Sequence, residues 1–383
     1  MNPSALIVSG EASGERYGGM LVRMLRQRLS LDWFGLGGDE MQAAGVELLV
    51  HARELAVVGL SEAIAGLPKF FRVFRQILRQ VDRLRPRFAV LIDFPDFNLR
   101  LARRLKNRGV PVVYFVSPQL WAWRPGRIRA LKQTISHMLC IFPFEEPLYR
   151  DAGVPVSYVG HPLVDIARQT KSREEFLSRQ DLKLSRPVVA MLPGSRLREI
   201  RHHLPILLEA AAQLEATHRV QFLLPRASTV EAGALVPFLR AHPVGDRIRI
   251  VEDDIYNCLG SADLAIVSSG TATVEAALLR TPMIVIYRVS RASAAVLRRL
   301  VRTPHYSMVN LIAGRAVVPE LIQEKFTADA VVRETAALLD SPEARKFMQS
   351  NLAEVARKLG SAGAIERAAT VITTLFAPAE TRP

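Results

Sequence analysis

Short apolar, β-branched runs alternate along the chain with longer stretches in which apolar positions recur every three or four residues. The first pattern belongs to strands buried on both faces and the second to amphipathic helices, so their alternation predicts repeated β-α units and parallel sheets. In the first half the predicted strands are Ala5 to Ser9, Trp33 to Leu36, Phe88 to Asp93, Val110 to Ser117, Met138 to Phe142 and Val156 to Val159. In the second half they are Val188 to Leu192, Val220 to Leu224, Ile248 to Val251, Leu264 to Val267 and Met283 to Tyr287. Helical periodicity fills the intervals, for instance Arg16 to Leu29, Leu197 to Ala216 and Thr271 to Leu279. The expected fold class is α/β, with two doubly wound, Rossmann-like domains facing a central cleft. Their expected extents are 1–165 and 187–383, joined by the charged, weakly periodic stretch Asp165 to Arg186, with the C-terminal helices returning toward the first domain. No repeat of solenoid length is visible.

Length agrees with two domains, since 383 residues at roughly 100 to 200 per domain leave apolar material for two cores. A hydrophobic content of 49% excludes a disordered chain. No stretch reaches the ~20 apolar residues of a membrane-spanning helix, and the N-terminus lacks the basic flank of a signal peptide. The expected location is therefore the cytosol. Cys140 and Cys258, distant in sequence and without a C-x-x-C, fit a reducing compartment and give neither a disulfide framework nor a zinc site.

Charge changes the picture more than composition does. The net charge is +14, and it is concentrated: Lys69 to Lys132 carries sixteen Lys or Arg against three acids, and Arg280 to Arg315 seven Arg and no acid. Solvated helix faces are the ordinary reading of either tract alone. The first tract, however, overlaps the apolar stretch Leu55 to Leu78, where Phe70, Phe71 and Phe74 stand beside Lys69, Arg72 and Arg75. That combination suits an anionic membrane surface, met peripherally, better than nucleic acid, which would call for a duplex-reading helix or for Tyr and Trp among basic strands.

In doubly wound sheets, ligands bind at loops beyond the strand C-termini. The loop Gly10-Glu11-Ala12-Ser13-Gly14-Glu15 has small residues that let backbone amides approach a ligand, but it is neither G-x-G-x-x-G nor a P-loop, and a plain tight turn explains it equally well. Gly194, Ser195 and Arg196 bring a glycine, a hydroxyl and a guanidinium to a helix start, a natural diphosphate site. Ser268, Ser269, Gly270 and Thr271 repeat the design, and Glu275, one turn into the next helix, is placed to take ribose hydroxyls or to act as a first-turn acid. Asp93 ends its strand ahead of Pro95 and is the candidate general base, while Asp96 reads as a turn or cap residue. His161, in Gly160-His161-Pro162, is the other acid or base candidate, although lone histidines are more often structural. No metal-ligand spacing occurs, so neither a metal nor another cofactor is expected.

Taken in order, GEASGE (10–15), IDFPDFN (92–98), VSPQLWAWRPGRI (116–128), FPFE (142–145), YVGHPLVD (158–165), LPGSRLREI (192–200), SSGTATVEA (268–276) and MVNLIAGR (308–315) resemble the lipid-A-disaccharide synthase family from about residue 5 to 330. Glu15 departs from the usual Asp and Gln119-Leu120 from the usual Ser-Val. The resemblance implies the GT-B fold and an inverting, metal-independent transfer of 2,3-diacylglucosamine from UDP-2,3-diacylglucosamine to 2,3-diacylglucosamine 1-phosphate, with release of UDP. It matches Asp93 to the essential aspartate and Arg196 to the arginine of the diphosphate loop, and it places Asn310 in a further loop of the cleft. It also implies work at the cytoplasmic face of the inner membrane, with a homodimer as the assembly to test for. Trp121 and Trp123 suit sugar faces, acyl chains or core packing equally. The competing classes are a UDP-sugar 2-epimerase of similar architecture and a non-enzymatic basic protein of the membrane surface.

Overall fold

The computed structural model describes residues 2–56, 63–118, 128–290, 293–294 and 303–376. They form two compact units, one of residues 1–162 with 360–383 and one of residues 163–359. Each unit has its own parallel sheet.

The first sheet is built from β1 (Ser4–Ser9), β2 (Asp32–Gly37), β3 (Val46–His51), β4 (Ala89–Ile92), β5 (Val112–Phe115), β6 (His137–Cys140) and β7 (Val156–Tyr158). Its order is β3-β2-β1-β4-β5-β6-β7, with every pairing parallel. The central strands β1, β4 and β5 are buried at every position, which is why their apolar runs are continuous rather than alternating. The second sheet comprises β8 (Val188–Leu192), β9 (Gln221–Arg226), β10 (Ile248–Glu252), β11 (Leu264–Ser268), β12 (Met283–Tyr287) and β13 (Glu320–Ile322). Its order, β10-β9-β8-β11-β12-β13, is the same winding. In both sheets the order reverses once, between β1 and β4 and between β8 and β11, and the C-terminal ends of those pairs are where loops diverge to opposite faces.

Two strands were not expected from the sequence, β3 and β13. Both lie at sheet edges. An edge strand need not be apolar throughout, and β3 carries the exposed Glu47, while β13 has only three residues.

The boundary also differs from the expected linker. Residues 163–186 belong to the second unit, and two of their charges, Lys171 and Arg173, pair with acids there. Arg173 pairs with Asp263 at 2.8 Å, whose carboxylate also accepts the Val188 amide at 2.8 Å, and Asn257 accepts the amides of Thr170 (2.8 Å) and Lys171 (2.9 Å). The helices Ala328–Asp340 and Pro342–Lys358 stay with the second unit, and only the last helix, Ala364–Phe376, belongs to the first. There the Phe376 ring stacks on Phe88 at 4.4 Å, and Arg367 donates to the Val159 carbonyl at 2.8 Å.

Candidate active site

At the reversal point of the first sheet, β4 ends in an unusual turn. Asp93 (φ 45°) and Phe94 (φ 47°) are consecutive left-handed residues without being glycine, a conformation that costs about 1 to 3 kcal/mol each and persists only where neighbours impose it. Three hydrogen bonds do so: the Asp93 amide donates to Phe115 O at 3.0 Å, and the Asp93 carbonyl accepts from Asn98 Nδ2 at 2.9 Å and Tyr114 Oη at 2.6 Å. Burial, and then the negative charge of Asp93, push the Tyr114 hydroxyl well above its ordinary pKa, so it remains a donor. The Phe94 ring stacks on Phe97 at 5.4 Å and lies so close to Gly10 that a Cβ there would come within 2.5 Å of it. Glycine at position 10 is therefore demanded by the turn that carries Asp93, whose side chain is half-buried.

Across that reversal point, the helix Ala12–Arg26 opens at Glu11 without a side-chain cap, leaving its first amides to other acceptors. Glu11 and Ser13 are half-buried at this end. Glu15 has a task within the fold, accepting the Glu40 amide at 2.9 Å. Asp96 is exposed in the first turn of the helix Pro95–Lys106, where a carboxylate favours the helix dipole.

His161 is buried, 2% exposed, with Tyr17 edge-on at 6.3 Å and Phe142 at 5.2 Å. Burial pulls its pKa down to about 3, so the imidazole resists the proton that a general base must take.

The second unit presents two loops at its own reversal point. After β8, Gly194 adopts φ 131° and the Ser195 amide donates to Glu199 Oε2 at 3.0 Å. Arg196, at the start of the helix Leu197–His218, has a side chain two-thirds exposed and lies 3.8 Å from Glu199. Thr229 Oγ1 holds the Ser195 carbonyl at 2.6 Å. His203 braces the loop from beneath: fully buried, it accepts the Arg288 amide on Nε2 at 2.8 Å, which leaves Nδ1 to donate to Pro193 O at 2.6 Å. Burial lowers its pKa, keeping it in this neutral tautomer. Neither Glu199 nor His203 was expected from the sequence; a Glu three positions after Arg196 was there to be read, whereas His203 takes its partners from Pro193 and Arg288 and leaves no local sign.

After β11, Ser268 Oγ is buried with no hydrogen-bond partner among the described residues, Ser269 Oγ donates to Tyr306 O at 2.8 Å, and Gly270 and Thr271 are exposed at the start of the helix Thr271–Leu278. Glu275 accepts from Tyr256 Oη at 3.1 Å and is half-buried. Asn310 is different from the expectation of a ligand contact. It is 1% exposed and spends its amide internally, donating to Val318 O (3.0 Å) and Glu320 (2.9 Å) and accepting from the amides of Val317 (2.7 Å) and Val318 (3.0 Å). Its work is to shape the chain leading into β13.

The helix Ala63–Leu84 corrects the expected apolar-basic surface in part. Phe70 and Phe74 pack against Phe97 at 5.0 and 5.4 Å and against the first unit's core, because Val73, Ile77 and Val81 turn that face inward. Phe71, at 47% exposure, remains outside, with Lys69, Arg72, Arg75, Arg79 and Arg83 exposed along the same helix. Trp121 and Trp123, and Arg291, Arg298, Arg299 and Arg302 of the second basic tract, lie outside the described residues. Of that tract's remainder, Arg315 is engaged by Glu354 at 3.1 Å. Among the described residues no helix is long and apolar enough to cross a membrane.

Comparison with known proteins shows what the whole chain is similar to. Residues 5–372 match the family described as lipid-A-disaccharide synthetase. The lipid-A-disaccharide synthase of Solibacter usitatus is 45% identical over 376 residues, covering 98% of each chain, and that of Koribacter versatilis 47% identical over 367 residues, covering 95% of each. Among solved structures, a complex of Staphylococcus aureus MnaA with UDP superposes with a TM-score of 0.66 at 13% identity, covering 100% of this chain and 99% of that one. The calicheamicin glycosyltransferase CalG4 gives 0.62 at 14%, covering 98% of this chain and 100% of that one. Likeness at such low identity concerns the fold, which is the GT-B architecture of glycosyltransferases and sugar-nucleotide epimerases.

The His161 environment has a measurable consequence. Its proton affinity is lower in the folded state than in the unfolded chain, where its pKa is near 6.5, so the unfolded chain gains protons first and stability falls as pH drops from 6.5 toward 3. Urea unfolding between pH 7 and 4 should show this loss, and His161→Gln should flatten the slope. An unchanged slope would mean that His161 takes up its proton as readily in the fold as in the unfolded chain.

Proposed function

The chain belongs to the lipid-A-disaccharide synthetase family and is a glycosyltransferase of lipid A biosynthesis, and we propose the following chemistry for it. It transfers 2,3-diacylglucosamine from UDP-2,3-diacylglucosamine to the 6-hydroxyl of 2,3-diacylglucosamine 1-phosphate, giving a β-1,6-linked disaccharide 1-phosphate and UDP. The observation that carries this reading is similarity to the family over nearly the whole chain, residues 5–372, including both reversal-point loop pairs.

The second unit takes the donor. Gly194, Ser195 and Arg196 receive the diphosphate, with the free amides at the start of the helix Leu197–His218 and the guanidinium supplying positive potential. Ser269, Gly270 and Thr271 supply further donors, and Glu275 takes ribose hydroxyls. The first unit takes the acceptor. Asp93 accepts the proton of the acceptor 6-hydroxyl as that oxygen attacks the donor anomeric carbon from the face opposite UDP. The glycosidic bond to UDP breaks as the new one forms, inverting the centre, and the charge leaving on UDP is met by Arg196 and the loop amides. Gly10, Glu11 and Ser13 border Asp93 and offer backbone contacts to the acceptor. Neither a metal nor a cofactor is needed, because the acceptor proton and the leaving-group charge both have protein partners.

Both substrates carry acyl chains, and the exposed face of the helix Ala63–Leu84 is suited to the surface in which they reside. Peripheral binding to anionic lipid at the cytoplasmic face of the inner membrane then rests on Phe71 with Arg72, Arg75 and Arg79, not on Phe70 and Phe74.

Three outcomes are expected. Asp93→Asn keeps size and polarity but removes the base, and should lower kcat by ~10² or more while donor binding, measured by calorimetry, is nearly intact. A near-normal rate would assign the proton transfer to another group. Arg196→Ala should weaken UDP binding by roughly 10- to 100-fold, a loss of about 1.5 to 3 kcal/mol for a charge-assisted contact, and unchanged affinity in a folded variant would remove it from the site. Vesicles of anionic phospholipid should retain the protein at low salt and release the Phe71→Ser, Arg72→Ser, Arg75→Ser triple variant, since each basic residue contributes about 1 kcal/mol that salt screens. Equal retention of both proteins would place the lipid surface elsewhere.

A further inference from the structure

The turn at the end of β4 is held by two side chains to which the reaction itself gives no role, Asn98 and Tyr114. Asn98 is fully buried in the second turn of the helix Pro95–Lys106. Its Nδ2 donates to Ile92 O at 3.1 Å and to Asp93 O at 2.9 Å, a pairing that only the NH₂ end of the amide can make. The other end, Oδ1, is buried without a hydrogen-bond partner among the described residues. An amide kept at that cost is kept for its two donors. Tyr114, on the neighbouring strand β5, fills the second lone pair of the same Asp93 carbonyl at 2.6 Å.

We infer that Asn98 and Tyr114 are positioning residues for Asp93, acting by fixing its backbone in the left-handed conformation that aims the carboxylate. The geometry gives the reason. A residue continuing β4 would hold φ near −120° and send its side chain to one face of the sheet, in alternation with Ile92. Turning φ positive re-aims the Cα–Cβ bond, and the Asp93 carbonyl, drawn inward by two donors, cannot rotate back without breaking both bonds. Gly10 completes the device by leaving room for the Phe94 ring, the side chain displaced by the same turn. The inference rests on the reading of Asp93 as the base.

The test is a double-mutant cycle on the full chain with the UDP-diacylglucosamine donor and the monosaccharide phosphate acceptor. Asn98→Ala should lower kcat at least tenfold with the KM for the donor within twofold, because it removes the bonds to both the Ile92 and the Asp93 carbonyls, and Tyr114→Phe should lower it less, because it removes one bond only. A residue that only stabilised the fold would not split kcat from KM in this way. In an Asp93→Asn background, where there is no carboxylate to aim, adding Asn98→Ala or Tyr114→Phe should leave the residual rate unchanged. The same factor of loss in both backgrounds, or a normal rate for folded Asn98→Ala, overturns the inference. If Asn98→Ala fails to fold, Tyr114→Phe, which adds neither volume nor charge, carries the same cycle alone. A near-normal rate for Asp93→Asn itself would instead defeat the assignment of the base, and the positioning role with it.

Discussion

Every strand pairing in both sheets is parallel, and a parallel sheet sends all of its strand C-termini to one edge. Where the strand order reverses, the helices that follow two adjacent strands depart to opposite faces and leave a gap between their first turns. The sequence spends its unusual residues at those gaps: Gly10 to Ser13 opposite Asp93 in the first unit, and Gly194 to Arg196 opposite Ser269 to Thr271 in the second. The winding thus decides which of many strand ends can hold ligands, and the loop chemistry decides which ligands.

The two units solve a shared problem by different means. The first unit carries Asp93 on backbone geometry that costs free energy and is held by Asn98, Tyr114 and the space at Gly10. The second unit keeps the loop after β8 in shape with polar side chains: Glu199 takes the Ser195 amide and the buried His203 ties Pro193 to Arg288. Glu199 is a first-turn acid that also lies 3.8 Å from the Arg196 guanidinium.

Much of this was legible in the sequence because buried parallel strands must be apolar at every position, which made the central strands plain. The edge strands β3 and β13 were not, since an edge tolerates Glu47 and a three-residue strand has no pattern. Asp165 to Arg186 reads as a linker because its charges are dense, yet Arg173 and Asp263 are charges that pair, and pairing across 90 positions leaves no local trace. Asp93 and Arg196 could be singled out because strand ends and helix starts announce chemistry. Asn98 and His203 could not be weighed without the fold, because their value lies in carbonyls and amides brought to them by other strands. Asn310 shows the converse: a polar residue in a distinctive motif whose hydrogen bonds are all internal. Phe70 and Phe74 belong to the same lesson, since helical periodicity alone leaves open which face of an aromatic, basic helix meets the core.

The central claim is that this two-unit architecture couples loss of UDP from one sugar to bond formation on another. It is tested most directly by measuring UDP release from UDP-2,3-diacylglucosamine with and without 2,3-diacylglucosamine 1-phosphate, together with the product's anomeric configuration by NMR. The account predicts that UDP appears only with the acceptor present, in equal amount with a β-linked disaccharide phosphate. UDP release or isomerisation of the donor sugar without any acceptor would contradict it.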